Sequence, residues 1–115
     1  MAYDYLDRRQ WNAALPLLRH VRLRIGPNDS ILLANLARAY SGIGDHAAAK
    51  REAVLAYNID PASPMVTKVY GQVMLAEGRN RKAAIELLEK AQILMPDNAE
   101  VAALLKRARA LPRKS

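Results

Sequence analysis

A pattern of small residues recurs along this 115-residue chain with a period of about 35 residues. Ala14, Ala49 and Ala84 follow one another at intervals of 35 residues. Two further columns keep this period to within one residue: Val21, Ala56 and Ala91, and then Pro27, Pro61 and Pro96. Self-similarity at such a period indicates a repeat architecture, in which each unit buries its apolar face against the next. The repeat therefore restricts the chain to stacked supersecondary units.

Each repeat reads as two helices joined by a tight turn. The apolar residues at i, i+3, i+4 and i+7 of the first helices are Leu33, Leu36, Ala37 and Tyr40, then Thr67, Tyr70, Gly71 and Met74. Breaks at Gly44-Asp45 and at Gly78-Arg79-Asn80 provide a helix-ending glycine and a capping residue for the second helix. The predicted helices span 2–7, 11–25, 30–42, 46–58, 64–77, 81–94 and 98–111.

The middle repeat carries a recognisable signature in Leu36, Ala37, Tyr40, Gly44, Ala49, Ala56 and Pro61. Their order and spacing resemble the tetratricopeptide repeat family. The third repeat matches with one additional residue in its turn, whereas the first lacks the opening of its first helix. The resemblance implies an all-α fold, a right-handed superhelical stack of about three such hairpins plus a C-terminal capping helix.

The resemblance covers nearly the whole chain and divides a single domain, 1–115, into consecutive units. They are a partial repeat at 1–28, repeats at 29–62 and 63–97, a capping helix at 98–111 and a basic tail at 112–115. The cap is predicted because Val101, Leu104 and Leu105 share one side of the last helix, while Lys106 and Arg107 lie on the other. A polar outer face keeps the last apolar surface of a stack away from water.

The first repeat is incomplete at its start, because Leu33 and Leu36 have no counterparts upstream of Ala2. We therefore expect the chain to be part of a longer repeat protein. We also expect self-association through the uncovered N-terminal face, near Tyr5 and Trp11.

No pattern in the sequence indicates catalysis or cofactor binding. His20 and His46 lie on second helices of different repeats without a cluster at metal-ligand spacing, and Asp45 next to His46 suits a helix cap. The chain has no cysteine, and no glycine-rich phosphate-binding motif follows a strand. We expect no enzyme activity, no metal site and no cofactor.

Composition leaves two function classes open. The net charge of +7 is compatible with an anionic partner, and charges interrupt every apolar stretch, so we expect a soluble protein of the cytoplasm or periplasm without a transmembrane segment. The leading class is a protein–protein interaction scaffold. The alternative is a nucleic-acid-binding helical repeat that uses its basic surface. The prolines and the Tyr40–Gly44 pattern make nucleic acid the weaker candidate.

The resemblance also implies where a partner binds, because first helices of successive hairpins line a concave groove in this family. Counted on that basis, the groove positions are Tyr3, Leu6, Ile31, Ala34, Asn35, Arg38, Met65, Lys68, Val69, Gln72, Lys106 and Arg109. They include basic and apolar residues but no carboxylate. The predicted partner is therefore an acidic or carboxylate-terminated peptide with apolar anchors, unless these charges are simply solvated.

Asn35 is relevant to one specific form of peptide binding, the binding of a C-terminal carboxylate. Family members that bind the C-terminal carboxylate of chaperones use an asparagine at this place, with a lysine and an arginine on a neighbouring first helix. Met65 and Val69 occupy the places of that lysine and arginine. Because neither position carries a basic residue, the sequence argues against this carboxylate clamp. Asn35 is also explained as a hydrogen-bonding residue between helices.

Overall fold

A computed structural model describes residues 11–25 and 29–110, and all regular structure within these ranges is α-helical. The helices are α1 (Trp11–Ile25), α2 (Ser30–Gly42), α3 (His46–Ile59), α4 (Pro64–Glu77), α5 (Arg81–Leu94) and α6 (Ala99–Ala110). Their bounds agree with the predicted helices to within one residue. The predicted helix at 2–7 and the basic tail at 112–115 lie outside the described residues. None of the described helices has the length and apolar character that crossing a membrane requires.

Each helix from α2 to α6 begins at a side chain that caps its first turn. Asp29 accepts a hydrogen bond from the Leu32 amide at 3.1 Å, and Asn98 accepts one from the Val101 amide at 2.9 Å. Asp45, Ser63 and Asn80 act in the same way on α3, α4 and α5. These oxygens satisfy amides that have no partner within the helix, which fixes where each helix starts. The glycine predicted to end α4, Gly78, has a left-handed φ of 75°.

The helices pack as successive hairpins. The closest packing joins α2 to α3 and α4 to α5, while α1 packs on α2 and α6 packs on α5. The first helices α2 and α4 also contact each other, and α4 touches α6 lightly. Consequently α2, α4 and α6 follow one another along one face of the stack, which is the arrangement that positions the groove described below.

Small residues at the hairpin crossings allow this close packing. Ala37, Ala49 and Ala56 are completely buried. At Gly71, a Cβ would lie 2.9 Å from Cγ of Leu88. The absence of a side chain at Gly71 therefore allows Leu88 to pack directly against its backbone.

A buried carboxylate links α1 to α3, a feature that the sequence pattern did not indicate. The Glu52 side chain is fully buried, and it accepts hydrogen bonds from Nη1 of Arg22 and, at 3.2 Å, from Nε of Arg51. A buried charge is tolerated when it is paired and hydrogen-bonded. The long side chain of Arg22 thus fixes the first described helix to the second helix of the next repeat.

The last helix is held at its C-terminal end by an arginine of the preceding helix. Arg81, at the start of α5, donates hydrogen bonds to the carbonyl oxygens of Ala108 and Arg109, both at 2.9 Å. Carbonyls in the last turn of a helix lack partners within it and carry a partial negative charge. Arg81 therefore caps α6 from outside and fixes its orientation on α5.

Replacing Arg22 by Met should lower the free energy of unfolding by about 2–3 kcal/mol, because Glu52 would keep its buried charge with one partner fewer. Urea denaturation followed by circular dichroism measures the loss. The double variant Arg22→Met/Glu52→Met should recover much of this stability, since no buried charge remains. If Arg22→Met alone were as stable as the wild type, the stabilising role of the Arg22–Glu52 pair would be contradicted.

Replacing Arg81 by Met should fray the end of α6 and cost about 1–2 kcal/mol, since two carbonyls lose a charged donor. Hydrogen exchange should increase for the amides in the last turn of α6, with α2 and α3 unaffected. Lys82→Met, an exposed neighbour in the same helical turn, is the matched control. Equal exchange in the two variants would show that Arg81 does not hold the helix end.

Candidate functional site

A groove of about 600 Å³ lies along α2, α4 and α6, and Trp11 of α1 also lines it. Its lining residues are Trp11, Arg38, Ser41, Gly42, Lys68, Gln72, Val73, Ala76, Glu100, Leu104 and Arg107. The residues from α2 come from its second half, those from α4 extend from Lys68 to Ala76, and α6 contributes residues from its first turn onward. The groove therefore runs diagonally across the face formed by the three helices.

Trp11 and Arg38 form one end of the groove. The guanidinium carbon of Arg38 lies 5.9 Å from the centre of the Trp11 ring, and its Nη1 donates a hydrogen bond to Oδ1 of Asn35 at 3.3 Å. Stacking on an aromatic face and hydrogen bonding to a buried amide both restrict the guanidinium. Arg38 is thus held in place with most of its N–H donors still available.

Gly42 permits this position of Trp11. A Cβ at Gly42 would lie 2.1 Å from ring atoms of Trp11, so any larger residue would displace the indole. From the sequence, Trp11 was expected near an uncovered N-terminal face, at the start of the predicted helix 11–25. Its place in the groove wall depends on packing between residues 31 positions apart, which no local pattern indicates.

A carboxylate lies in the groove, contrary to the expectation that the groove positions carried none. Glu100, in the first turn of α6, accepts a hydrogen bond from Nζ of Lys68 on α4 at 2.5 Å. The side chains are 46% and 21% exposed respectively, so the ion pair belongs to the groove surface. The groove positions predicted from the sequence did not include Glu100, because they placed a different side of α6 in the groove.

The two residues predicted on the last helix, Lys106 and Arg109, do not line this groove. Arg109 points towards α5, where its Nη2 donates to Oε2 of Glu89 at 2.9 Å. Lys106 is exposed but does not line the groove, whereas Arg107 does. One residue along a helix rotates a side chain by about 100°, so a small error in register changes which residues face the groove.

The other counted positions divide into three groups. Arg38, Lys68 and Gln72 line the groove. Ala34, Asn35 and Val69 are at most 3% exposed, so they support the wall and cannot be reached by a peptide in this structure. Ile31 is exposed and Met65 is half-buried, but both lie outside the groove, nearer the starts of their helices. Tyr3 and Leu6 lie outside the described residues.

The two histidines show no arrangement for chemistry. His20 is exposed on α1, and His46, at the start of α3, is half-buried with its Nδ1 enclosed and lacking a hydrogen bond. Within 11–25 and 29–110, no three side chains of His, Cys, Asp or Glu come together in a way that could hold a metal ion.

Solved structures share this arrangement of helices. The first tetratricopeptide domain of Spaghetti (RPAP3), bound to an HSP90 peptide, matches with a TM-score of 0.79 at 19% identity, over 94% of this chain and 84% of that chain. The Sgt2 domain from Aspergillus fumigatus matches at 0.80 and 24% identity, over 94% and 72%. The chain has the tetratricopeptide repeat fold. The predicted all-α stack of helical hairpins is thereby confirmed.

A type III secretion chaperone also shares this arrangement of helices. SycD from Yersinia enterocolitica, in complex with a peptide of the translocator YopD, matches with a TM-score of 0.72 at 16% identity, over 94% of this chain and 86% of that chain. No protein-family model matches the sequence, and a search of curated proteins gives no significant match. The structural likeness therefore establishes the tetratricopeptide fold alone.

Replacing Gly42 by Ala should destabilise the chain by about 1–3 kcal/mol, because the new methyl group would overlap the Trp11 ring. Helix propensity alone would favour alanine by about 1 kcal/mol, so the sign of the effect separates the two influences. Thermal unfolding provides the measurement. In a Trp11→Ala background the same substitution should be neutral or stabilising, and a destabilisation of equal size there would rule out the contact as its cause.

Proposed function

We propose that this chain is a protein-interaction module that holds an acidic peptide segment of a partner protein in the groove along α2, α4 and α6. One observation carries the proposal: three neighbouring helices each contribute a cation, Arg38, Lys68 and Arg107, to one elongated depression. An extended peptide can contact several consecutive helices of such a stack at once.

The charge of the groove favours an acidic partner. Its lining contains three cations, Arg38, Lys68 and Arg107, and one carboxylate, Glu100, which gives a local net charge of +2. Charges of one sign in a concave surface concentrate the potential and accelerate the approach of oppositely charged ligands. Carboxylates of a partner are therefore the complementary groups.

The groove also offers apolar contacts beside its cations. Trp11 is half-buried at one end, and Val73 and Leu104 form parts of the wall. Aromatic and arginine side chains are the residues that most often dominate binding energy at protein interfaces. A peptide that alternates acidic and apolar side chains would satisfy both kinds of lining residue.

Structures with the same fold support a peptide as the ligand. The RPAP3 domain is bound to the HSP90 peptide SRMEEVD, and SycD is bound to a peptide of YopD. The first of these peptides carries three acidic side chains. Val69, at one of the positions where the clamp uses a basic residue, is buried and apolar. In the present chain a carboxylate of the peptide would therefore meet Arg38 and Arg107 instead.

The double variant Arg38→Ala/Lys68→Ala should weaken binding of acidic peptides by about tenfold or more, since two charged donors are lost. The probes are an array of acidic heptapeptides, including SRMEEVD, each paired with a counterpart in which Gln and Asn replace Glu and Asp. Isothermal titration calorimetry should show binding of acidic members in preference to their neutral counterparts, decreasing as salt rises.

The control is Arg79→Ala/Lys82→Ala, which removes the same charge from exposed positions away from the groove. Equal losses in the groove variant and the control would reject the groove as the binding site. A single-stranded RNA oligonucleotide is measured in parallel at physiological salt. Tighter binding of RNA than of every acidic peptide would replace the proposal by the nucleic-acid alternative.

A further inference from the structure

Glu100 occupies a place where a ligand of the groove would be expected. It stands on α6, Lys68 stands on α4, and their side chains meet across the groove at 2.5 Å, although 32 residues separate them in sequence. If an acidic peptide binds here, one of its carboxylates must compete with Glu100 for the ammonium group of Lys68.

We infer that Glu100 is an internal competitor of the partner's carboxylate and sets the charge selectivity of the groove. The inference rests on the proposed function, since it concerns the same groove and the same class of peptide. Removing the charge of Glu100 would raise the local charge from +2 to +3, and it would also release Lys68 for the partner.

Competition at Lys68 has a consequence for which peptides bind. A peptide with one carboxylate gains an interaction with Arg38 or Arg107, but it gains little at Lys68, where one ion pair merely replaces another. Arg38 is already fixed by Trp11 and Asn35, so its planar guanidinium can donate hydrogen bonds to a carboxylate with little ordering cost. Glu100 therefore lowers the affinity that a peptide gains from a further carboxylate placed at Lys68.

The place of the pair in the fold makes its opening inexpensive. The contact between α4 and α6 is slight, and α6 is held mainly by α5, through Arg81 at its end and through the pair of Glu89 with Arg109. Exchange of Glu100 for a partner's carboxylate thus needs rotation of side chains and not separation of packed helices. The Glu100 side chain is 46% exposed.

The test is Glu100→Gln, which keeps the shape of the side chain and removes its charge. Exposed ion pairs contribute little, so affinity for an acidic heptapeptide from the array should rise by roughly two- to fivefold at low salt. The neutral counterpart of that peptide should bind as it does to the wild type. The gain should be largest for peptides with the most acidic groups, because only these can place a further carboxylate at Lys68.

Two further variants separate local competition from a general change in charge. Glu86→Gln removes an equal charge from an exposed position of α5 outside the groove and should leave peptide affinity unchanged. In a Lys68→Gln background, Glu100→Gln should give no gain. Thermal unfolding of each variant checks that α6, whose first turn contains Glu100, is intact.

The possible results distinguish failure of the inference from failure of the proposed function. An unchanged or lower affinity for Glu100→Gln overturns the inference while the proposed function stands, provided that the variant Arg38→Ala/Lys68→Ala has lost binding. An equal gain in the Glu86→Gln control or in the Lys68→Gln background overturns it as well, because the effect would then be a long-range one. If neither the wild type nor Glu100→Gln binds any acidic peptide, the proposed function and the inference fail together.

Discussion

The close approach of the two helices in each hairpin is the constraint on which the rest of the structure depends. Ala37, Ala49 and Ala56 are completely buried, and the backbone at Gly71 lies directly against Leu88. Helices with larger side chains at these crossings would stand farther apart. Because the second helices fill one side of the stack, the first helices α2 and α4 meet each other and leave their opposite side open. The groove is a consequence of this packing.

The fold could be predicted from the sequence because its determinants are local and repeated. The helix starts depend on capping side chains such as Asp29 and Asn98, which act on amides three residues away. The helix ends depend on turn residues such as Gly78, whose left-handed backbone is visible in the sequence as a glycine at the expected interval. A period that recurs in several columns then leaves little freedom in how the helices connect.

The candidate site could be predicted only in part, because its side chains meet through packing between distant segments. Arg38, Lys68 and Gln72 were recognised from their positions on the first helices, whose orientation the repeat determines. The side of α6 that faces the groove was not recognised, because the rotation of this helix depends on contacts with Arg81 and Glu89. The same limit applies to Glu52, whose partner Arg22 belongs to another repeat. Such pairs form only when distant segments pack together, so no periodic pattern in the sequence indicates them.

The position of Trp11 gives the groove a property of its own. It is the one tryptophan in the chain, it lines the groove, and the guanidinium of Arg38 rests over its ring. Indole emission depends on the polarity and charge around the ring, and when tryptophan is excited selectively over the five tyrosines, the emission of this chain originates at a single point beside the cation. Any molecule that draws Arg38 away or covers the indole would alter that emission. The unlabelled protein therefore carries its own optical reporter of what enters the groove.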